Sequence, residues 1–201
     1  MARFIVFEGG DGSGKSTQAH SLNRRLRRRG IPVLLTREPG GTPAGETIRR
    51  WLKSQHNLQP LTELLLFEAA RTQLVESVIR PSLDGGSTVI SDRYTASTVA
   101  YQGYGRGLDL GLIRQLNQMA TGGLVPDLTV LLDLPAPVGL SRRGTAGADP
   151  FETAPEDFHR RVREGYHAQA AEDPTRWLVL DAAQSQRQLG RTIWAKVQPL
   201  L

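Results

Sequence analysis

The chain contains no cysteine, which excludes disulfides and any thiolate-held zinc or iron–sulfur centre. Histidine is scarce: His20, His56, His159 and His167 follow no metal-ligand spacing and read as surface or partly buried side chains. Long apolar runs are missing too. Phe4 to Phe7, ahead of Glu8, is too short for a signal peptide or a membrane span. Without disulfides or such a stretch, the expected setting is cytoplasmic and no membrane partner is expected. Aromatic residues are only 6% of the chain, and none interleaves with its basic run, Arg24-Arg-Leu-Arg-Arg-Arg29. No base-stacking platform is offered there. Despite a net charge of +5, the run therefore reads as a solvated helix face, with its last arginines favourable at a helix C-terminus before Gly30. No nucleic-acid partner is expected. A GTPase switch is excluded by the lack of Asn-Lys-x-Asp and of Asp-x-x-Gly at a strand end.

What remains is an ordinary globular composition, 39% apolar and 22% charged over 201 residues, enough for one substantial core. No repeat or long linker divides it, so a single domain over residues 1–201 is expected. Short apolar strands alternate with amphipathic helical stretches, which predicts a parallel sheet covered on both faces. The strands are expected at 3–8, 32–36, 88–91, 128–133 and 177–181. Helices are expected after residue 15 and over 46–53, 62–83, 112–119, 156–171 and 184–197. In the second of these longer helices, Leu64, Leu65, Phe67, Leu74, Val78 and Ile79 form an apolar stripe, and Pro81 is placed to bend it.

The most informative stretch is Phe7-Glu-Gly-Gly-Asp-Gly-Ser-Gly-Lys-Ser-Thr17. Glycines let a backbone fold tightly around phosphate oxygens with several N–H groups pointing inward. The helix that follows adds its positive end. The strand before it and the helical spacing of Ala19, Leu22 and Leu26 after it supply the context that such a loop requires. Gly9, Gly10, Asp11, Gly12, Ser13, Gly14, Lys15, Ser16 and Thr17 are thus expected to hold nucleotide phosphates. Lys15 would reach the β- and γ-phosphates, and the Ser16 hydroxyl would ligate Mg²⁺.

Ligands of open α/β sheets bind at the carboxyl ends of the strands. Three such ends carry charge or glycine here: Glu8, Arg37 to Thr42, and Asp92-Arg93. Two arginines beside a triphosphate site can hold a second anion and screen repulsion between phosphates. Asp92 could hold Mg²⁺ through water. The segment Gly144-Thr-Ala-Gly-Ala-Asp-Pro150, with Arg142-Arg143 at its root, has the make-up of a mobile lid over about 142–155.

Together, Thr36-Arg-Glu-Pro-Gly-Gly-Thr42, Phe67-Glu-Ala-Ala-Arg71, Ile79-Arg-Pro81, Asp92-Arg-Tyr94, Ala100-Tyr-Gln-Gly103 and Asp149-Pro-Phe-Glu152 make the chain resemble the thymidylate kinases over nearly its full length. The phosphate loop is common to many families, whereas this combination is far more specific. The resemblance implies a P-loop NTPase fold with a five-stranded parallel sheet and a lid. It implies ATP-dependent phosphorylation of dTMP to dTDP, a step of dTTP synthesis, by a Mg²⁺-requiring homodimer. Carried over by residue, Phe67 stacks on thymine and Arg71 meets its carbonyl edge. Arg93, helped by Arg37, holds the dTMP phosphate. Tyr101 fills the space of a 2′-hydroxyl, Thr98 and Gln102 contact the base side, and Asp11 faces the acceptor sugar and the transfer site.

The chain departs from the pattern in two places. Gly12 stands where eukaryotic-type members carry an arginine, so a transition-state arginine is expected from the lid, as in bacterial-type members, at Arg142 or Arg143. Pro150 stands where bacterial relatives commonly have arginine. No general base is required, because a phosphate monoester is mostly dianionic at pH 7, its second pKa being about 6. Positioning and charge neutralisation are then expected to carry the chemistry.

Overall fold

The computed structural model describes residues 2–55, 58–143 and 153–201, with the backbone alone described at positions 140 and 143. Its strands are β1 (Phe4–Glu8), β2 (Val33–Arg37), β3 (Thr88–Asp92), β4 (Leu128–Asp133) and β5 (Trp177–Asp181). All pair in parallel in the order β2-β3-β1-β4-β5. Helices α1 (Lys15–Arg28), α2 (Pro43–Ser54), α3 (Pro60–Leu74) and α4 (Arg80–Asp84) come first. They are followed by α5 (Thr95–Thr98), α6 (Leu110–Thr121), α7 (Ala136–Arg143), α8 (Glu156–Glu172) and α9 (Gln186–Val197). Two π-helical stretches, Val75–Ile79 and Val99–Gly105, continue α3 and α5.

The alternation of strand side chains divides the core in two. Ile5 and Phe7 point to the side where Ala19, Leu22 and Leu26 of α1 meet Leu189, Ile193 and Trp194 of α9. Phe4 and Val6 point to the other, against Leu74, Val75, Ile79 and Tyr94. A neighbouring cluster joins Ala96, Ala100 and Tyr101 to Phe158, Val162 and Tyr166 of α8. The arginine-rich end of α1 is largely exposed, as expected, although Arg25 and Arg29 lie over the Trp194 ring with centroid distances of 4.2 and 4.5 Å. An aromatic partner thus arrives from a distant part of the chain.

Several sequence expectations need correction. The 62–83 helix exists but widens into a π turn just before Pro81, a residue with no N–H to return to the preceding turn. Of its stripe, Leu64, Leu74 and Ile79 are buried, whereas Leu65 is 48% exposed. The helical run 95–105 was not expected: Thr95-Ala-Ser-Thr-Val-Ala-Tyr-Gln-Gly has no long apolar periodicity and is held by tertiary packing against α8. Helix α7 was not expected either, so Arg142 belongs to a helix rather than to a loop root. Most of the expected lid, residues 144–152 including Asp149 and Glu152, lies outside the described residues, as does the side chain of Arg143.

Candidate active site

Parallel pairing brings the carboxyl ends of the strands to one edge. Phe7 is level with Asp92, and Asp92 with Arg37. The phosphate loop leaves β1 in the middle of this edge. Gly14 takes a left-handed φ of 90° immediately before α1, and no side chain caps the helix. Its first N–H groups are therefore left for an anion. Gly12 also has a positive φ, 72°, and a Cβ there would come within 2.0 Å of the Gly139 carbonyl oxygen of α7. That close approach leaves no room for a side chain, so an arginine at position 12 cannot be accommodated beside α7.

Lys15 folds back over the loop and donates to the Gly10 carbonyl at 2.8 Å. Burial, with Arg93 nearby, pulls its pKa down to about 8. Ser16 donates a short hydrogen bond to the Asp92 carboxylate. A hydroxyl and a carboxylate beside a phosphate cavity are hard oxygen donors, which suit Mg²⁺ and leave it room to keep several waters. The residues named for the metal thus fit that ion, and among the described residues no cluster of three or more acidic or histidine ligands competes with them.

Two cavities meet above the sheet edge. One is lined by Gly12, Gly14, Lys15, Ser16, Thr17, Arg37, Asp92 and Arg142. The other, about 690 Å³ of space empty of protein atoms, is lined by Phe67, Leu52, Lys53, Pro39, Ser97, Thr98, Tyr101 and Gln102. Asp11, Glu38, Arg49 and Arg93 line both. Arg93 occupies the junction with a left-handed φ of 76°, rare for a residue with a side chain. Its Nη2 donates to Asp11 Oδ1 at 2.8 Å and to the Tyr101 hydroxyl at 3.2 Å, and that hydroxyl donates to Asp11 Oδ2.

Arg71 is 1% exposed and does not line the second cavity itself, but it bonds two residues that do, Glu38 and Thr98. Its Nε donates to Glu38 at 2.8 Å, Nη1 to Glu68 and Asn117 at 2.7 Å each, and Nη2 to the Tyr94 carbonyl at 3.2 Å. A guanidinium has five N–H donors, so one on Nη2 is left over. Burial raises the Glu38 carboxyl to about 7 although Arg71 opposes this. Glu38 Oε1 and Gln102 Oε1 are buried without hydrogen-bond partners. Both belong to cavity-lining residues, and an unsatisfied buried acceptor is costly unless a ligand completes it.

The structure brings together nearly all the residues singled out in the sequence. Arg37 lies on the phosphate side alone and is held by Glu46 through two hydrogen bonds of 3.0 and 3.1 Å. Arg142 reaches the phosphate cavity while donating to the Ala182 carbonyl at 3.0 Å. Glu38, Arg49 and Ser97 were missed as site residues. Glu38 stood inside a quoted motif. Arg49 lies one helical turn beyond Glu46, the residue that anchors Arg37, and that spacing was the available signal.

The chain is similar to known proteins over nearly its full length. The family model described as Thymidylate kinase matches residues 7–193. A thymidylate kinase of Thermomicrobium roseum is 52% identical over 203 aligned residues, covering 100% of this chain and 97% of the relative. One from Dehalococcoides mccartyi is 50% identical, covering 100% of this chain and 98% of its own length. The crystal structure of thymidylate kinase from Ehrlichia chaffeensis superposes with a TM-score of 0.81 at 36% identity, covering 98% of each chain.

The buried Lys15 generates a prediction about stability. Its folded pKa near 8 lies below the unfolded value of about 10.4. Burying the charged form therefore opposes folding fully below pH 8. Between pH 8 and about 10.4 the unfolded chain binds more protons at this site, so its contribution to stability rises with pH. Lys15→Met should melt at a higher temperature than the wild type at pH 7 without nucleotide, and the gap should narrow toward pH 10. A gap that is absent at pH 7, or unchanged by pH, would contradict the assignment.

Proposed function

We propose how this site works from one premise: the chain belongs to the thymidylate kinase family and phosphorylates dTMP to dTDP. The fold is that of P-loop NTPases, and the family's phosphoryl donor is ATP. The whole chain acts as one nucleotide-kinase domain, in a cytoplasmic setting that its lack of cysteine suits; among the described residues no helix is long and apolar enough to cross a membrane. The observation that carries the reading is the meeting of two cavities at Asp11, Glu38, Arg49 and Arg93. ATP phosphates occupy the side of the phosphate loop, and dTMP the side of Phe67. The acceptor oxygen then faces the γ-phosphorus along the line where in-line displacement requires it.

On the donor side the loop N–H groups and the open end of α1 hold the β- and γ-phosphates. Ser16 and Asp92 would hold Mg²⁺, which supplies Lewis-acid neutralisation of phosphate charge when bound. Lys15 follows the charge onto the transferring group, so Lys15→Met also loses turnover. On the acceptor side Arg93 and Arg49 take the dTMP phosphate, with Arg37 adding positive potential. Phe67 offers its face to thymine, and the remaining Nη2 N–H of Arg71 is directed at a carbonyl. Thr98 and Gln102 serve the base edge, and Tyr101, held by Asp11, occupies the space of a 2′-hydroxyl.

A transition-state arginine comes from residues 142–143 rather than from the loop, because Gly12 has no room for a side chain. The described position of Arg142 on the phosphate cavity supports this. Replacing Arg142 and Arg143 singly by Ala should lower kcat by roughly 10³ at the dominant position, with a smaller change in the ATP KM. Wild-type kcat in both single variants and in the double would rule this out.

A panel of nucleoside monophosphates with ATP and Mg²⁺ tests the acceptor reading. dTMP should be the preferred substrate and dCMP rejected, since cytosine turns an amino group toward the arginine donors and leaves buried polar groups badly paired. Arg71→Ala would strand two buried carboxylates, at a cost of about 3–5 kcal/mol, so Arg71→Lys is the sharper variant. It keeps the charge, and it should lower kcat/KM for dTMP while the ATP KM stays near normal. Tyr101→Ala should narrow the preference for dTMP over its ribose counterpart. A wild-type enzyme that phosphorylates dCMP as readily as dTMP would overturn the reading.

The protein works as a homodimer. Trp51 on α2, Leu61 and Leu65 on α3, and Leu112 and Met119 on α6 are exposed, Met119 by 77%. α3 packs against both α2 and α6, and large apolar side chains exposed on such neighbouring helices suit an interaction surface. Light scattering should give twice the chain mass for the wild type and a monomer for Leu65→Glu. A monomeric wild type at micromolar concentration would refute the dimer.

A further inference from the structure

Arg93 is the one guanidinium at the junction that strand β3 carries directly, and its surroundings hold more order than the acceptor site alone requires. Behind it lies Glu8, fully buried at the end of β1. Glu8 Oε1 accepts from the Tyr94 backbone N–H at 2.8 Å, and Oε2 accepts from the hydroxyls of Ser97 and Tyr166 at 2.7 and 2.9 Å. Those hydroxyls also lie 3.2 and 3.1 Å from Arg93 Nη1, which in addition donates to the Gly9 carbonyl. A guanidinium has no acceptor, so toward Arg93 each hydroxyl can only accept, and the two Nη1 hydrogens are shared among both hydroxyls and the Gly9 carbonyl. Each hydroxyl's single proton is then free to go to Glu8. The contact of 3.0 Å between the two hydroxyls is accordingly left without a proton of its own.

We infer that Tyr166 and Ser97 are positioning residues for Arg93, linking its rear edge to the buried Glu8 carboxyl while its front edge faces the acceptor phosphate. The inference rests on the reading of Arg93 as a phosphate-binding residue. Burial pushes the Glu8 carboxyl upward, and Arg93 together with three donated hydrogen bonds pulls it back. The cation and its counter-charge are separated by one hydroxyl layer, so Arg93 is oriented without being neutralised by direct ion pairing at Nη1. Direct pairing at both edges would leave the incoming phosphate to compete with protein carboxylates. Asp11 pairs directly with Nη2 at 2.8 Å, and the hydroxyl layer at Nη1 spares the guanidinium a second such ion pair, in a site where hydrogen-bonded chains polarise one another.

The arrangement also fixes where Tyr166 comes from. It lies on α8, whose Phe158 and Val162 pack with Tyr101 and Ala100. The helix N-terminal to residue 105 and the helix that follows residues 144–155 thus both have a hydroxyl on Arg93. The left-handed backbone at Arg93 needs such surrounding support, because a non-glycine residue in that conformation persists only where neighbours over-determine it.

The test compares Tyr166→Phe, Arg93→Lys and the double variant in steady-state assays with dTMP and ATP. Removing a hydrogen bond to a charged group costs enough for a loss of roughly 10-fold or more. Tyr166→Phe should lower kcat/KM for dTMP by that factor with the ATP KM unchanged, a split that general destabilisation would not produce. The double variant should be no worse than Arg93→Lys by more than about twofold, since the hydroxyl acts through that side chain. Wild-type kcat/KM in Tyr166→Phe beside a crippled Arg93→Lys overturns the relay and leaves the reading of Arg93 standing. Fully multiplicative losses overturn it as well. Near-normal turnover in Arg93→Lys removes the reading of Arg93 and the relay with it. If Tyr166→Phe does not fold, Ser97→Ala carries the same comparison.

Discussion

A partly buried guanidinium just after β3 organises the catalytic edge of this protein. Arg93 touches the phosphate loop through Gly9 and Asp11, the 95–105 helix through Ser97 and Tyr101, and α8 through Tyr166. An unpaired charge in such a place would cost several kcal/mol. The fold meets that cost by surrounding Arg93 with acceptors from three separate stretches of chain, and in doing so it ties those stretches together. The junction of the two cavities is therefore also the place where the sheet edge, the loop and two helices are cross-linked.

A fully buried guanidinium, Arg71, ties together the residues beside the second cavity. It draws Glu38 from the loop after β2, Glu68 from its own helix, and Asn117 from α6 into one network. Each partner satisfies polar groups of the others, so the network is built from the protein's own residues. Pre-organisation of this kind lowers the ordering cost of binding. The two unsatisfied oxygens at the wall, Glu38 Oε1 and Gln102 Oε1, mark where the network is incomplete without a ligand. The phosphate side is organised differently. There the work is done by backbone, with Gly12 packed so closely on Gly139 that α7 and the loop hold one another in place.

Much of this was legible in the residues. The loop glycines, Lys15 and Ser16 need little beyond their order, because the shape of a phosphate cradle is a local property of the backbone. Strands 128–133 and 177–181 were bounded by the sequence because each is a short apolar run ending in aspartate. The 95–105 helix was not legible. Its residues are polar where they face the cavity, at Ser97, Thr98, Tyr101 and Gln102, and its helical form depends on burial against α8. Leu65 read as core because it is apolar and lies beside Leu64, yet its side of α3 faces outward.

The sequence by itself determined the parallel α/β architecture, the anion site at the start of α1, and the family to which the chain belongs. Each of these follows from local order: hydrophobic alternation, glycine placement and short motifs. Only the tertiary structure decided which charges share a site. Glu8, Asp11, Arg93 and Tyr166 are up to 158 positions apart, and nothing in local patterning pairs them. Their meeting depends on the register of β1 beside β3 and on the packing of α8 over the 99–105 turn. Arg71 shows the same division. Its spacing from Phe67 is a matter of sequence, but its burial is a consequence of how Glu38 and Glu68 close around it.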